Sequence, residues 1–98
     1  MGNSLKSAQF LIESRLRDAA HGDTDALYDL GMVYASGAQG AAIDLIEAHK
    51  WFNLAAQSGS TAAQACRAEI ASDMSAREIA AAQRAARAWM QSSQARAH

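Results

Sequence analysis

The sequence predicts an all-α protein of about five helices, stacked as helical hairpins in a single domain over residues 1–98. Apolar residues recur at intervals of three and four along most of the chain, which is the period of an amphipathic helix. Asp or Ser precedes each helical segment after the first, and glycine follows the first three, as expected at helix ends. A block of sequence also returns 37 positions later, which is typical of stacked helical repeats.

The first two helices are delimited by residues suited to helix ends. The first is predicted from residue 3 or 4 to residue 20, and Gly22 can adopt the left-handed conformation that ends it. Asp23 is a suitable N-cap for the second helix, which reaches about residue 36. Gly31 weakens an isolated helix by ~1 kcal/mol relative to alanine, so we expect a neighbouring helix to cross closely there. The predicted apolar stripes are Leu5, Ala8, Ile12, Leu16 and Ala19, then Leu27, Leu30, Gly31 and Tyr34.

The third and fourth helices follow a glycine-containing loop over residues 37–43. Asp44 caps the third helix, which reaches about residue 57 before Gly59 ends it. Ser60 caps the fourth helix, which reaches about residue 72. The residues predicted to face inward are Leu45, Ala48, Phe52 and Ala55, with Trp51 beside them, and then Ala63, Cys66 and Ile70.

A capping box opens the fifth helix, because the Ser75 hydroxyl and the Glu78 carboxylate can each accept a hydrogen bond from the other residue's backbone N–H. This helix is predicted to reach about residue 92, with residues 93–98 fraying. Its inner stripe consists of Ile79, Ala82, Ala86 and Trp89. Because alanine supplies much of the 50% apolar content, a few large side chains must provide most of the buried area. These are Leu5, Ile12, Leu16, Leu27, Leu30, Tyr34, Leu45, Trp51, Phe52, Ile70, Ile79 and Trp89.

The internal repeat is the strongest evidence for stacked hairpins. Its matched pairs, 37 positions apart, are Ala19 with Ala56, Gly22 with Gly59, Thr24 with Thr61 and Ala26 with Ala63. Residues 25–60 closely resemble the Sel-one-like repeat family, a branch of the tetratricopeptide-type repeats. The matching residues are Ala26, Leu30, Gly31, Tyr34 and Gly37 in the first helix, and Asp44, Ala48, Trp51, Ala55, Ala56 and Gly59 in the second. The chain departs from the family at Gln39 and Gly40, where its loop is one residue longer.

The resemblance implies a short right-handed solenoid in a small bacterial member of the family. Residues 4–22 would be a degenerate leading helix, 23–59 the best-matching repeat, and 60–92 a partial repeat with a cap helix. The family's repeats are binding scaffolds, so the resemblance implies protein–protein interaction rather than catalysis. It also implies that Tyr34 and Trp51 are structural residues.

Charge and composition narrow the classes of partner. The net charge is −1 and the isoelectric point about 6.2, against the basic surface expected of nucleic-acid binders. Six acidic residues and no lysine or arginine lie within 18–47, whereas residues 77–98 contain four arginines and one acid. This asymmetry is either a steering patch or a set of ordinary solvated helix faces. We expect no nucleic-acid partner and, because no apolar run is long enough to span a bilayer, no membrane partner.

No pattern of catalytic or metal-binding residues is recognisable, so we expect no enzyme activity and no cofactor. The three histidines lie far apart in sequence, without the spacing of metal ligands. His49 is expected on the outer side of the third helix. The single cysteine, Cys66, excludes an internal disulfide and fits a reducing compartment. The start of the chain lacks the features of a secretory signal, so a cytoplasmic location is predicted.

The predicted binding residues lie on the outward side of the second helix: Asp25, Tyr28, Asp29, Met32 and Ser36. An aromatic beside an adaptable methionine can anchor a peptide, and the two aspartates favour a basic ligand. The alternative is that Tyr28 and Met32 pack on the first helix. We expect a protein–protein adaptor or regulatory subunit with a partly acidic groove. The alternatives are a homodimeric structural module, with Trp89 and Met90 as a possible dimer contact, and a permanent accessory subunit.

Overall fold

The computed structural model describes the backbone of residues 4–97 and the side chains of residues 6–93. It contains five α-helices, and no strand occurs within the described range. The helices are α1 (Ser4–Ala20), α2 (Thr24–Ser36), α3 (Leu45–Gln57), α4 (Thr61–Ala71) and α5 (Ala76–Ala97). The all-α prediction and the number of α-helices are confirmed.

The predicted caps form at the start of four helices. The Asp23 carboxylate accepts hydrogen bonds from two backbone N–H groups at 2.9 and 3.2 Å. Asp44 and Ser60 each accept one, at 3.1 and 3.0 Å. In the capping box, Ser75 N donates to Glu78 Oε1 at 2.8 Å and Glu78 N donates to Ser75 Oγ at 3.1 Å. These bonds satisfy N–H groups that have no partner within the helix.

Two details differ from the prediction. The loop after α2 contains a short 3₁₀ helix, Ala38–Gly40, in which Gln39 has a positive φ of 60°. A non-glycine residue in this region is uncommon, so the sequence predicted only an irregular loop. Helix α5 continues to Ala97 instead of ending at about residue 92, and residues 93–97 contain mostly good helix formers. His98 lies outside the described residues.

Helix α3 is the centre of the fold. It packs against α2, α4 and α5, while α1 packs against α2 and against the 3₁₀ helix. The largest fully buried side chains are Trp51 and Phe52 of α3 and Leu30 of α2. Among the described residues, the largest buried side chains therefore lie on α3 or pack against it.

The predicted core residues whose side chains are described fall into three groups. Leu27, Leu30, Trp51 and Phe52 are buried, and Ile12, Leu16, Tyr34, Ile70 and Trp89 are partly buried and packed against the core. Leu45 and Ile79 are partly exposed, and the side chain of Leu5 lies outside the described residues. Val33 and Leu54 are buried although neither was on a predicted stripe.

Gly31 lies where α2 and α3 cross. A Cβ atom at this position would lie 2.5 Å from Cε1 and 2.9 Å from Cγ of Phe52. Real Cβ atoms do not approach carbon so closely, so the Phe52 ring occupies the space that a larger residue would need. The expected close crossing at Gly31 is confirmed.

Candidate protein-binding face

The five predicted binding residues lie along one side of α2, which we call the α2 face. Asp25, Met32 and Ser36 are exposed, and Tyr28 and Asp29 are partly buried. The opposite side of α2 carries its buried residues, including Leu27, Leu30 and Val33. The face therefore follows from the helical period, which places residues separated by three, four or seven on the same side.

Asp29 is held by an ion pair with α1. The Nε atom of Arg15 donates to Asp29 Oδ2 at 3.0 Å, and Nη1 of the same side chain lies 3.9 Å from Asp18 Oδ2. With Asp25, these groups amount to three carboxylates and one guanidinium, a net charge of −2. The face is thus acidic, but Arg15 neutralises part of the charge that the sequence suggested. Arg15 is not among the predicted site residues, because the pairing depends on how α1 packs against α2.

Tyr28 ties α2 to two other helices. Its ring centroid lies 5.8 Å from that of Phe52, at an interplanar angle of 50°. Its hydroxyl lies 4.0 Å from Cys66 Sγ on α4, a distance at the limit for a hydrogen bond to sulfur. This hydrogen bond with Cys66, with a smaller contribution from burial, raises the pKa of Tyr28 above its usual value. Tyr28 therefore packs on α3 and α4, whereas the alternative drawn from the sequence was that it packs on α1.

The exposed residues Asp25, Met32 and Ser36 differ in whether their side chains already bond within the fold. The Ser36 hydroxyl donates a 2.7 Å hydrogen bond to the Met32 carbonyl oxygen of its own helix. The Met32 side chain is 38% exposed. Across the described residues, no side chain forms a hydrogen bond or ion pair with the Asp25 carboxylate. Of the five side chains on this face, those of Asp25 and Met32 therefore contribute least to the stability of the fold.

Trp51 is built into a polar and aromatic cluster that joins α3 to α5. Its Nε1 donates to Glu47 Oε1 at 3.2 Å, and the same oxygen lies 3.4 Å from Lys50 Nζ. Lys50 Nζ also lies 4.3 Å from the Trp51 ring centroid, within the range of a cation–π interaction. The Trp89 ring meets Trp51 edge to face, with centroids 4.8 Å apart. The Trp89 ring thus helps to pack α5 against α3.

Met90, the other residue of the possible dimer contact, lies beside a groove of about 430 Å³. Its side chain is 38% exposed, the same fraction as Met32. The apolar residues that line the groove are Ala19, Ala20, Leu27, Leu54, Trp89 and Met90. The structure thus places Trp89 and Met90 together at one groove between the end of α1 and α5.

His49 is buried, so its expected position on the outer side of α3 is wrong. It is only 4% exposed. The reason is that α3 packs against α2, α4 and α5, so little of its surface faces solvent. Burial, and to a lesser extent the positive charge of Arg67, lower the pKa of His49. Its Nδ1 atom has no hydrogen-bond partner among the described residues.

Two other kinds of site are absent from the described residues. No three or more His, Cys, Asp or Glu side chains lie together in a way that could hold a metal ion. None of the helices in this range is both long and apolar enough to cross a membrane. The α2 face and the groove beside Met90 are two candidate protein-binding surfaces.

Comparisons of the chain with protein-family models, with curated proteins and with solved structures found no match. The resemblance of residues 25–60 to Sel-one-like repeats therefore rests on the residues quoted above. The division into a leading helix, one full repeat and a partial repeat with its cap likewise stays a prediction.

Proposed function

We propose that this chain is a non-catalytic adaptor or regulatory subunit that binds a segment of another protein on the α2 face. In this proposal the helices form a short right-handed solenoid of Sel-one-like repeats, and the protein acts in the cytoplasm. The helix order supports it, since each of α2, α3 and α4 packs against the helix before it. Stacked hairpins of this kind commonly present one helix of each pair to a ligand.

The observation that carries the proposal is the pairing of a free carboxylate with an exposed thioether on one rigid helix. Asp25 and Met32 are seven residues apart on α2, which corresponds to roughly 10 Å along a helix axis at about 1.5 Å per residue. Methionine adapts its shape to different apolar partners, and a carboxylate orients a basic group. A segment with a lysine or arginine about 10 Å from an aliphatic side chain fits this spacing.

The charge around the face supports a basic partner. Asp18, Asp25 and Asp29 outnumber Arg15, so the local field is negative. A field of this sign speeds the approach of a basic segment and disfavours an acidic one. It acts mainly on association rate and selectivity, whereas burial of Met32 would supply most of the affinity.

A homodimeric module through α5 is the second candidate. It is favoured by the groove of about 430 Å³ beside Trp89 and Met90, which is large enough to receive apolar side chains of another molecule. Against it, the Trp89 ring is already engaged with Trp51. A permanent accessory subunit would use the same surfaces and differ only in how long its partner stays bound.

The test is a selection of peptides from a random library on the immobilised protein. Peptides that combine lysine or arginine with an aliphatic residue should be enriched. They should bind a variant carrying Asp25→Lys and Met32→Ser at least tenfold more weakly, because both the charge and the apolar contact are lost.

The matched control carries Asp73→Lys and Met90→Ser, since Asp73 is also exposed and Met90 is as exposed as Met32. This control should bind like the unaltered protein, and both variants should unfold at similar temperatures. Equal binding by the α2-face variant would contradict the proposal. Loss of binding in the control alone would move the site to α5.

A further inference from the structure

The solvent side of α1 carries an aromatic residue that the fold leaves uncovered. Phe10 is 77% exposed, more than any other large apolar side chain in the described part of the chain. Covering such a ring would remove a large apolar surface from water, which favours association. Its position is outside the inner stripe of α1, to which Ala8, Ile12 and Leu16 belong.

A hollow adjoins Phe10 on the same surface. It has a volume of about 660 Å³, and its wall consists of Phe10 itself with Lys6, Ser7, Leu11, Ser14, Arg15 and Gln39. Ser7 and Ser14 lie about one turn before and after Phe10, and their small side chains leave room for another chain to approach. The protruding ring and the hollow thus belong to a single patch.

We propose that a second copy of this chain covers the patch, with the two α1 helices antiparallel and each Phe10 seated in the hollow of the other copy. A contact of this kind must be self-complementary, because a two-fold axis brings the same surface from both molecules together. A patch that contains both the protruding ring and its receptor meets this requirement. The proposed contact goes beyond the binding of a partner at Asp25 and Met32, and it uses neither residue.

The charges on α1 select the antiparallel direction. Lys6 and Glu13 are both exposed, and neither forms an ion pair with another described residue. Lys6 is one turn before Phe10 and Glu13 nearly one turn after it. In an antiparallel pair crossing at Phe10, Lys6 of each copy therefore lies beside Glu13 of the other. A parallel pair would instead place like charges together.

The size of α1 sets the expected strength. A contact along one helix of 17 residues is smaller than the roughly 1,200 Å² buried in most stable interfaces. The dimer should therefore be weak, with a dissociation constant in the micromolar range or above. It is also separate from the α5 contact, since neither Trp89 nor Met90 takes part.

The first test is sedimentation equilibrium of the full chain over a concentration series from about 1 µM to about 1 mM, chosen to bracket this weak range. The unaltered protein should pass from monomer to dimer, and Phe10→Ala should raise the dissociation constant about tenfold or more. Ile43→Ala is the matched control, because Ile43 is 63% exposed and lies outside the patch. A chain that stays monomeric, or a dimer that Phe10→Ala leaves intact, would overturn the proposal.

A charge exchange tests the direction of pairing. Lys6→Glu and Glu13→Lys should each weaken the dimer about fivefold, and an equal mixture of the two variants should associate more strongly than either alone. The double variant Lys6→Glu/Glu13→Lys controls for general attraction, because it keeps the net charge of the unaltered protein and restores both pairs with their signs exchanged. If the double variant dimerises as weakly as the single variants, or if the mixture shows no gain, the antiparallel contact is refuted.

Discussion

Replacing Gly31 with alanine should destabilise the protein, although the same change stabilises most helices. In an open helix, alanine is favoured over glycine by about 1 kcal/mol. Here the new Cβ would lie 2.5 Å from Cε1 and 2.9 Å from Cγ of Phe52, and this side chain is 0% exposed. Overpacking of this kind costs about 1–3 kcal/mol. Taking the upper value for a fully enclosed ring, the expected net loss of unfolding free energy is about 2 kcal/mol.

Urea unfolding of Gly31→Ala, followed by circular dichroism, measures this loss. Phe52→Leu provides the matched test of mechanism, since it removes Cε1 and replaces the planar ring with a smaller and more flexible side chain. The double variant should lose less stability than the sum of the two single losses, with a coupling of at least about 0.5 kcal/mol. A Gly31→Ala protein as stable as the unaltered one, or more stable, would refute the close crossing of α2 and α3.

Three further predictions concern a cap, a histidine and a tryptophan. Asp23→Ala should lower the free energy of unfolding by about 1 kcal/mol in urea titrations, because two backbone N–H groups lose their acceptor. The free energy of unfolding should also fall as the pH drops below about 6.5. The reason is that the pKa of His49 is lowered in the folded chain, so the unfolded chain binds a proton there at a higher pH. His49→Gln should weaken this pH dependence. Trp89→Ala should cost about 2 kcal/mol or more in thermal unfolding through loss of its contact with Trp51, whereas Met90→Ala should cost less than about 1 kcal/mol.

The helices could be predicted because the signals that start and stop them are local. Asp23, Asp44 and Ser60 each bond to backbone N–H groups within the next three residues. The reciprocal bonds of Ser75 and Glu78 also join residues three apart. Such interactions form within one turn, so the sequence around them is enough to infer them.

The candidate site could be predicted only in outline. Helical periodicity put Asp25 and Met32 on the same side of α2, which is a local property. The ion pair between Arg15 and Asp29 and the contact of Tyr28 with Cys66 join distant parts of the chain. They depend on how the helices cross, and no local pattern specifies that.

The burial of His49 on α3 and the exposure of Phe10 on α1 were not predicted, and the two reasons are related. His49 adjoins the charged Lys50, which suggested a solvated side, yet α3 is enclosed by three helices. Phe10 had a signal, since it is an aromatic residue outside the apolar stripe of α1. The sequence alone does not show whether another element of the chain covers such a residue.

The most direct test of the proposed function is an NMR titration of the isotope-labelled protein with a peptide of the enriched basic and aliphatic type. We expect the largest shifts on the backbone amides around Asp25, Met32 and Ser36. Asp25→Lys combined with Met32→Ser should abolish them without changing the rest of the spectrum. Shifts concentrated on α5 around Met90, or a saturating titration that leaves α2 unchanged, would contradict the assignment of the α2 face as the binding surface.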